Sequence, residues 1–261
     1  LPLADGGPGF VDALHAALGG ELLALTVTGP SGEPTPVSVL LDGETAYVES
    51  AQACGLHLLD PLDPWNASTR GVGEAVVAAA EAGATTIVVG LGGSGTNDGG
   101  AGLLAALGAS SDRPLDAGPA GLRGVTSVDV TPARSRLEGV RLVAATDVEV
   151  PLLGMFGASK TFGPQKGLSD PEVIEVDGLL DAFVVATCGS LPAERRVADA
   201  KGAGAAGGLG FALLLLGADV VPGIRVVADA LGLDAACRDH DLVGTGEGTY
   251  DHTSRSGKVV H

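Results

Sequence analysis

Apolar positions along this chain fall into short runs separated by glycine, and the spacing within the runs changes from segment to segment. Leu25 to Thr28, Val37 to Leu41 and Thr45 to Val48 are strand-like, separated by Gly-Pro and Asp-Gly turn signals, and predict a small antiparallel element. Gly71 to Ala82 has the composition of a helix and is followed, after Gly83, by the β-branched run Thr85 to Val89. Further strands are predicted at Val125 to Val130 and Val140 to Ala145, and a short one beginning at Leu242 and Val243. Ser169 and Glu172 have capping-box spacing, with Pro171 in the first turn. Val173, Val176, Leu179, Leu180, Phe183 and Val184 then recur at helical steps, so one face of that helix is buried. Phe211 to Leu216 and Ile224 to Leu231 read as two more helices. The alternation of strand, loop and helix predicts an α/β fold whose sheet is mostly parallel, with ligands at the strand ends.

Composition narrows the class. A chain of 261 residues, 45% hydrophobic, can bury a sizeable core, and its 42 glycines form no repeat. The longest apolar stretch, Leu209 to Val221, is interrupted by Gly210, Gly217 and Asp219 and is too short to span a bilayer, so no membrane partner is expected. A net charge of −17 disfavours nucleic acid. Cys54, Cys188 and Cys237 are odd in number and far apart. They suggest buried thiols in a cytoplasmic protein, with neither a disulfide framework nor a cysteine zinc site, and the five histidines show no metal-ligand spacing.

Against that acidity, the chain's lysines, Lys160, Lys166, Lys201 and Lys258, all lie in or beside glycine-containing loops, where compact cations next to open backbone suit an anion. Lys160, Lys166 and Lys258 are therefore expected to face one cleft. The strongest loop follows the strand at 86–90: Gly92, Gly93, Ser94, Gly95, Thr96, Asn97 and Asp98 lead into the helix around Leu103 to Leu107. Its backbone amides could cradle phosphate. Gly90, Gly92 and Gly95 match a dinucleotide fingerprint, as do Gly202, Gly204 and Gly207, but glycines 99, 100 and 102 delay the helix that a nicotinamide site needs; a Walker A loop is absent. Asp5, Asp98, Asp147, Glu247 and Asp251 place carboxylates in the same loops, where they suit magnesium or a substrate hydroxyl as well as turn capping.

Five of these segments together resemble the class I glycerate kinase family. They are Ala4 to Gly9 (ADGGPG), Gly92 to Gly102 (GGSGTNDGGAG), Phe162 to Gly167 (FGPQKG), Gly202 to Gly210 (GAGAAGGLG) and Thr245 to Gly248 (TGEG). They stand in the family's order. The resemblance implies ATP and magnesium (Mg2+), D-glycerate as acceptor, and 2-phosphoglycerate ahead of 3-phosphoglycerate as product. It also implies two α/β domains: a Rossmann-like domain from residues 1–28 and 220–261, incomplete at both ends, and an inserted mixed α/β domain at 29–219.

On that basis the expected catalytic residues are Asp98, Asp147 and Asp251, the first two also as metal ligands and the last to orient or deprotonate the hydroxyl. The expected substrate and phosphate partners are Asp5, Gly92, Gly93, Ser94, Thr96, Asn97, Lys160, Lys166, Gly204, Gly207, Glu247 and Lys258. The chain departs from the family at Pro8, Phe10, Glu149, Val150, Thr249, Tyr250 and His252. A nicotinamide-dependent dehydrogenase is the alternative enzyme, but its ribose-binding acid would have to be Asp112 or Asp116, in a turn-rich stretch. A non-catalytic nucleotide or organic-acid binder is the other. Because the first motif has no strand before it and the last apolar run stops at His261, this chain is expected to be incomplete and inactive alone.

Overall fold

A computed structural model describes residues 3–244 and 246. Its strands are β1 (Glu21–Thr28), β2 (Pro34–Asp42), β3 (Thr45–Glu49), β4 (Thr86–Gly90), β5 (Ser110–Ser111), β6 (Val128–Asp129), β7 (Arg141–Ala145) and β8 (Asp219–Val221). The α-helices are α1 (Phe10–Leu18), α2 (Ser50–Cys54), α3 (Arg70–Glu81), α4 (Ala101–Ala106), α5 (Gly118–Gly121), α6 (Thr131–Arg136), α7 (Ala158–Phe162), α8 (Asp170–Cys188), α9 (Leu209–Leu215), α10 (Gly223–Ala230) and α11 (Leu233–Arg238). Six strands form one sheet in the order β1-β2-β3-β4-β7-β8. The first three pair antiparallel, as the turn signals between them require, whereas β3, β4, β7 and β8 are joined by long helical crossovers and pair parallel.

Both faces of the sheet are covered, and the two-residue period of its strands sorts their side chains. Ile87 and Val89 of β4, with Val39 and Val48, enter a large core shared with α3, α4, α8 and α9. Val88 and Leu40 point the other way, into a smaller core closed by Phe10 and Leu14 of α1 and Val227 of α10. Phe10, one of the departures from the family pattern, is fully buried there and meets Tyr47 edge-on at 6.4 Å. In α8 the capping box is present: Ser169 N–H donates to Glu172 at 2.8 Å, and Val173, Val176, Leu180, Phe183 and Val184 are buried.

Two expectations are corrected. The strand predicted at 125–130 shrinks to Val128–Asp129, because the Val125 amide closes a turn onto Leu122 O and Thr131 already begins α6. Leu242 and Val243 form no strand and stand exposed, with no ladder partner among the described residues. The positions 28/29 and 219/220, expected as domain boundaries, lie between paired strands and within β8. β1 pairs with β2 from Glu21↔Leu41 to Thr28↔Pro34, and β8 spans the second boundary, so shared ladders and a shared core cross both positions. Among the described residues no helix is long and apolar enough to cross a membrane.

Candidate active site

The parallel strands β4, β7 and β8 end at one edge of the sheet, and the glycine loops meet there. Their glycines are explained first by backbone touching backbone. A Cβ on Gly92 would stand 2.5 Å from Gly7 Cα, one on Gly90 2.6 Å from Gly6 O, and one on Gly223 2.1 Å from Asp5 O. The loop at 4–9 is thus wedged between the ends of β4 and β7 and the start of α10. Pro8 leans on Gly93 across the same seam. From below, the buried carboxylate of Glu49, at the end of β3, accepts the amides of Gly9 and Val11, each at 3.2 Å, and so anchors the first turn of α1. Nothing in the spacing of the sequence singles out Glu49; its partners lie about forty positions earlier.

The loop at 202–208 packs onto the loop at 91–100 in the same way. Gly99 N–H donates to Gly207 O at 3.0 Å, a Cβ on Gly207 would stand 1.9 Å from Thr96 O, and one on Gly204 2.2 Å from Pro151 O. Gly207, expected as a phosphate partner, thus closes these two loops on each other, whereas Gly204, expected in the same role, packs on Pro151 in the segment after β7. Within this turn Ala206 holds the left-handed conformation at φ 50, a strained choice for a residue with a Cβ.

Asp98 differs most from its expected role. It is fully buried, and four donors already hold it: Thr69 N (2.9 Å), Thr69 Oγ1 (2.8 Å) and Gly102 N (3.2 Å) on Oδ2, and Gly100 N (3.0 Å) on Oδ1. The carboxylate caps α4 and ties it to the start of α3, which leaves it no open side toward a metal or an acceptor hydroxyl. Burial pushes its carboxyl above the usual range while these donors pull it back. Asn97 is also fully buried, donating to Ser159 Oγ at 2.9 Å, and its Oδ1 has no partner among the described residues.

Asp147 is placed differently. It follows β7, is half-buried, and accepts the Ile224 amide at 3.2 Å at the N-terminus of α10. Burial raises its carboxyl first, and the negative charge of Asp5 raises it further, against the pull of the Ile224 and Gly223 amides. Asp5 is exposed and accepts the Gly7 amide at 3.2 Å. These two acids, and not Asp98 with Asp147, are the carboxylates the fold brings together. A cavity of about 590 Å³ opens beside Asp147, lined also by Thr146, Glu149, Lys201 and Gly202. Glu149 and Lys201 form an exposed ion pair of 2.7 Å at its rim.

A second, smaller cavity of about 130 Å³ shares Val148 with the first and is lined by Gly92, Gly93, Ser94, Lys166 and Ala206. Lys166 is 2% exposed, its Nζ donating to Thr96 O at 2.6 Å and Ser94 Oγ at 3.1 Å. Thr96 turns its hydroxyl to the buried Cys54 thiol at 3.9 Å. Of the lysines, Lys166 and Lys201 thus line adjoining cavities. Lys160 is exposed on α7 and lines neither, and Lys258, like Glu247 and Asp251, lies outside the described residues.

The acids a nicotinamide enzyme would have needed are committed elsewhere: Asp112 holds the Thr126 and Ser127 amides, and Asp116 pairs with Arg70. Residues 1–261 match the model of the glycerate kinase family. This chain belongs to the glycerate kinase family. Its relatives include a glycerate kinase of Bacillus subtilis, 43% identical, and a glycerate 2-kinase of Escherichia coli K12, 42% identical, both aligned over 99% of this chain and 70% of their own length. The crystal structure of a glycerate kinase 2 from Salmonella typhimurium LT2 superposes with a TM-score of 0.85 at 39% identity, covering 99% of this chain and 71% of that one. The glycine motifs at 4–9, 92–102, 162–167 and 202–210 meet where the parallel strands end.

Proposed function

We propose that this protein transfers the γ-phosphoryl group of ATP to D-glycerate, giving 2-phosphoglycerate, in the cytoplasm. The observation that carries the reading is the pair of adjoining cavities where the loops after β4 and β7 meet the loop at 202–208 in a chain of this family. The larger has the volume of a nucleotide-sized site, and the smaller falls below the usual range for such ligands.

Phosphoryl transfer asks for aligned partners and stabilised charge more than for covalent work by the protein. Asp147 and Asp5 fit magnesium, which usually takes one or two carboxylates together with substrate phosphates. When bound, magnesium would neutralise charge developing on the phosphate oxygens. Asp147 is positioned by the α10 amide, and the Lys201 side chain at the rim supplies a cation that can leave Glu149, because an exposed pair of this kind is worth little. Asp251 stays in this proposal as the group that orients the acceptor hydroxyl. The two-domain organisation that the family resemblance implies, a Rossmann-like domain and an inserted α/β domain, belongs to the same reading. The three free cysteines support the cytoplasmic setting, and the net charge of −17 supports small-molecule partners over nucleic acid.

Thermal shift tests the ligand class. Magnesium-ATP should raise the melting temperature and NAD should not. In Asp147→Asn the magnesium-dependent part of the ATP response should fall. Stabilisation by NAD alone would contradict the proposal.

A further inference from the structure

We infer that the small cavity beside Lys166 is the seat of the acceptor's carboxylate, held by the Lys166 ammonium and the Ser94 hydroxyl, with the rest of the acid directed past Val148 toward Asp147. This rests on the kinase reading above and adds to it where the acid group sits and what holds it.

Lys166 is the starting point. A lysine that is 2% exposed is costly to charge unless its surroundings compensate it, yet its partners are a hydroxyl and a carbonyl. Among the described residues no carboxylate lies within ion-pair distance of it; Asp98 acts on it only through space and is spent on its own four donors. An ammonium has three donors, and two are assigned. Ser94 points to the same gap. Its Oγ accepts from Lys166, which leaves its own hydrogen free to donate, and it is 6% exposed on the wall of the same cavity. Two buried donors, one charged, thus border a space that no acceptor among the described residues fills.

Size and position choose the ligand. About 130 Å³ is too little for a nucleotide and suits the acid end of a three-carbon compound. Val148 belongs to both cavities, so an acid seated at Lys166 has its hydroxyls on the side of Asp147 and the larger cavity. The electrostatics agree: burial lowers the Lys166 ammonium to about 8, and a bound anion would hold it charged.

The test compares the full-length wild type with Lys166→Met in D-glycerate binding by calorimetry and in steady-state turnover, with D-glyceramide as the neutral analogue. Losing a charge-assisted contact should weaken D-glycerate binding and raise its KM roughly 10- to 100-fold. The KM for magnesium-ATP should move less than about twofold, the scale of an uninvolved site. The preference for D-glycerate over D-glyceramide should disappear. An unchanged KM for D-glycerate would overturn the inference, as would a rise confined to the KM for ATP, which would make Lys166 a phosphate partner. If Lys166→Met loses its near-UV circular dichroism, the wild type alone decides. Its affinity for D-glycerate should fall as pH rises above about 8 while its affinity for D-glyceramide stays level, and parallel profiles would overturn the inference. Lys166-dependent binding of D-glycerate without any phosphoryl transfer would uphold this site and refute the kinase reading. Transfer with a KM indifferent to Lys166 would do the reverse.

Discussion

Asparagine at position 98 keeps the shape of the side chain and removes one acceptor. Its single carbonyl oxygen can take the place of Oδ2 and keep Thr69 N, Thr69 Oγ1 and Gly102 N. The amide NH2 then faces the Gly100 N–H, donor against donor, in a site with no water-accessible surface. One bond to a charged acceptor is lost and a buried amide is left unpaired, while the cost of burying the charge is relieved. The net is about 2–4 kcal/mol of destabilisation. For a chain of this length that corresponds to a fall in melting temperature of roughly 5–15 °C. Urea denaturation followed by circular dichroism measures the first, and turnover per folded molecule, well below the new midpoint, measures the rest. The structure predicts a large stability loss with kcat within about threefold of wild type, since a capping carboxylate does not enter the transition state. An unchanged midpoint with kcat lowered about 100-fold, the scale of a lost transition-state charge contact, would refute the capping role and return Asp98 to the chemistry.

Three further outcomes follow from the same loops and helices. Gly207→Ala should cost at least about 3 kcal/mol, because its Cβ would enter the Thr96 carbonyl and its φ of 66 disfavours a side chain; chemical denaturation would show it, and a loss under about 1 kcal/mol would mean that the two loops do not pack as described. Lys166 ionises at about 8 when folded and near 10.5 when unfolded, so the unfolded chain binds more protons between these values. Wild-type stability relative to Lys166→Met should therefore rise from about pH 8 to about 10.5, by at most about 3 kcal/mol, and a flat difference would place the ammonium in water. Glu172, held at about 2 by Ser169 and the Trp65 indole N–H, stabilises the fold above its unfolded value of 4.5; that contribution is lost as pH falls through about 2, and Glu172→Gln should flatten this acid limb.

Much of the fold was legible in the sequence because periodicity and capping are local. The α8 capping box, its buried face and the three antiparallel strands are written within stretches of ten to twenty residues, and the structure has them. β8 was hidden for the opposite reason: three residues, two of them exposed, become a strand only because β7 offers an unpaired edge. The site divides in the same manner. Its glycine loops announced themselves, but their density cannot say whether a glycine admits a ligand or another backbone. Gly92 and Gly207 touch partners more than eighty positions away in sequence. Asp98 looked catalytic inside its motif because the residue that claims it, Thr69, lies 29 positions earlier. Glu49 and the burial of Lys166 depend likewise on contacts that only the folded chain makes.

Phosphorus NMR of the product formed from magnesium-ATP and D-glycerate decides whether this protein is a D-glycerate 2-kinase. The expected result is ATP-dependent formation of 2-phosphoglycerate, absent when magnesium is chelated. ATP-independent conversion, or no phosphorylated glycerate from a folded protein that binds both substrates, would contradict it.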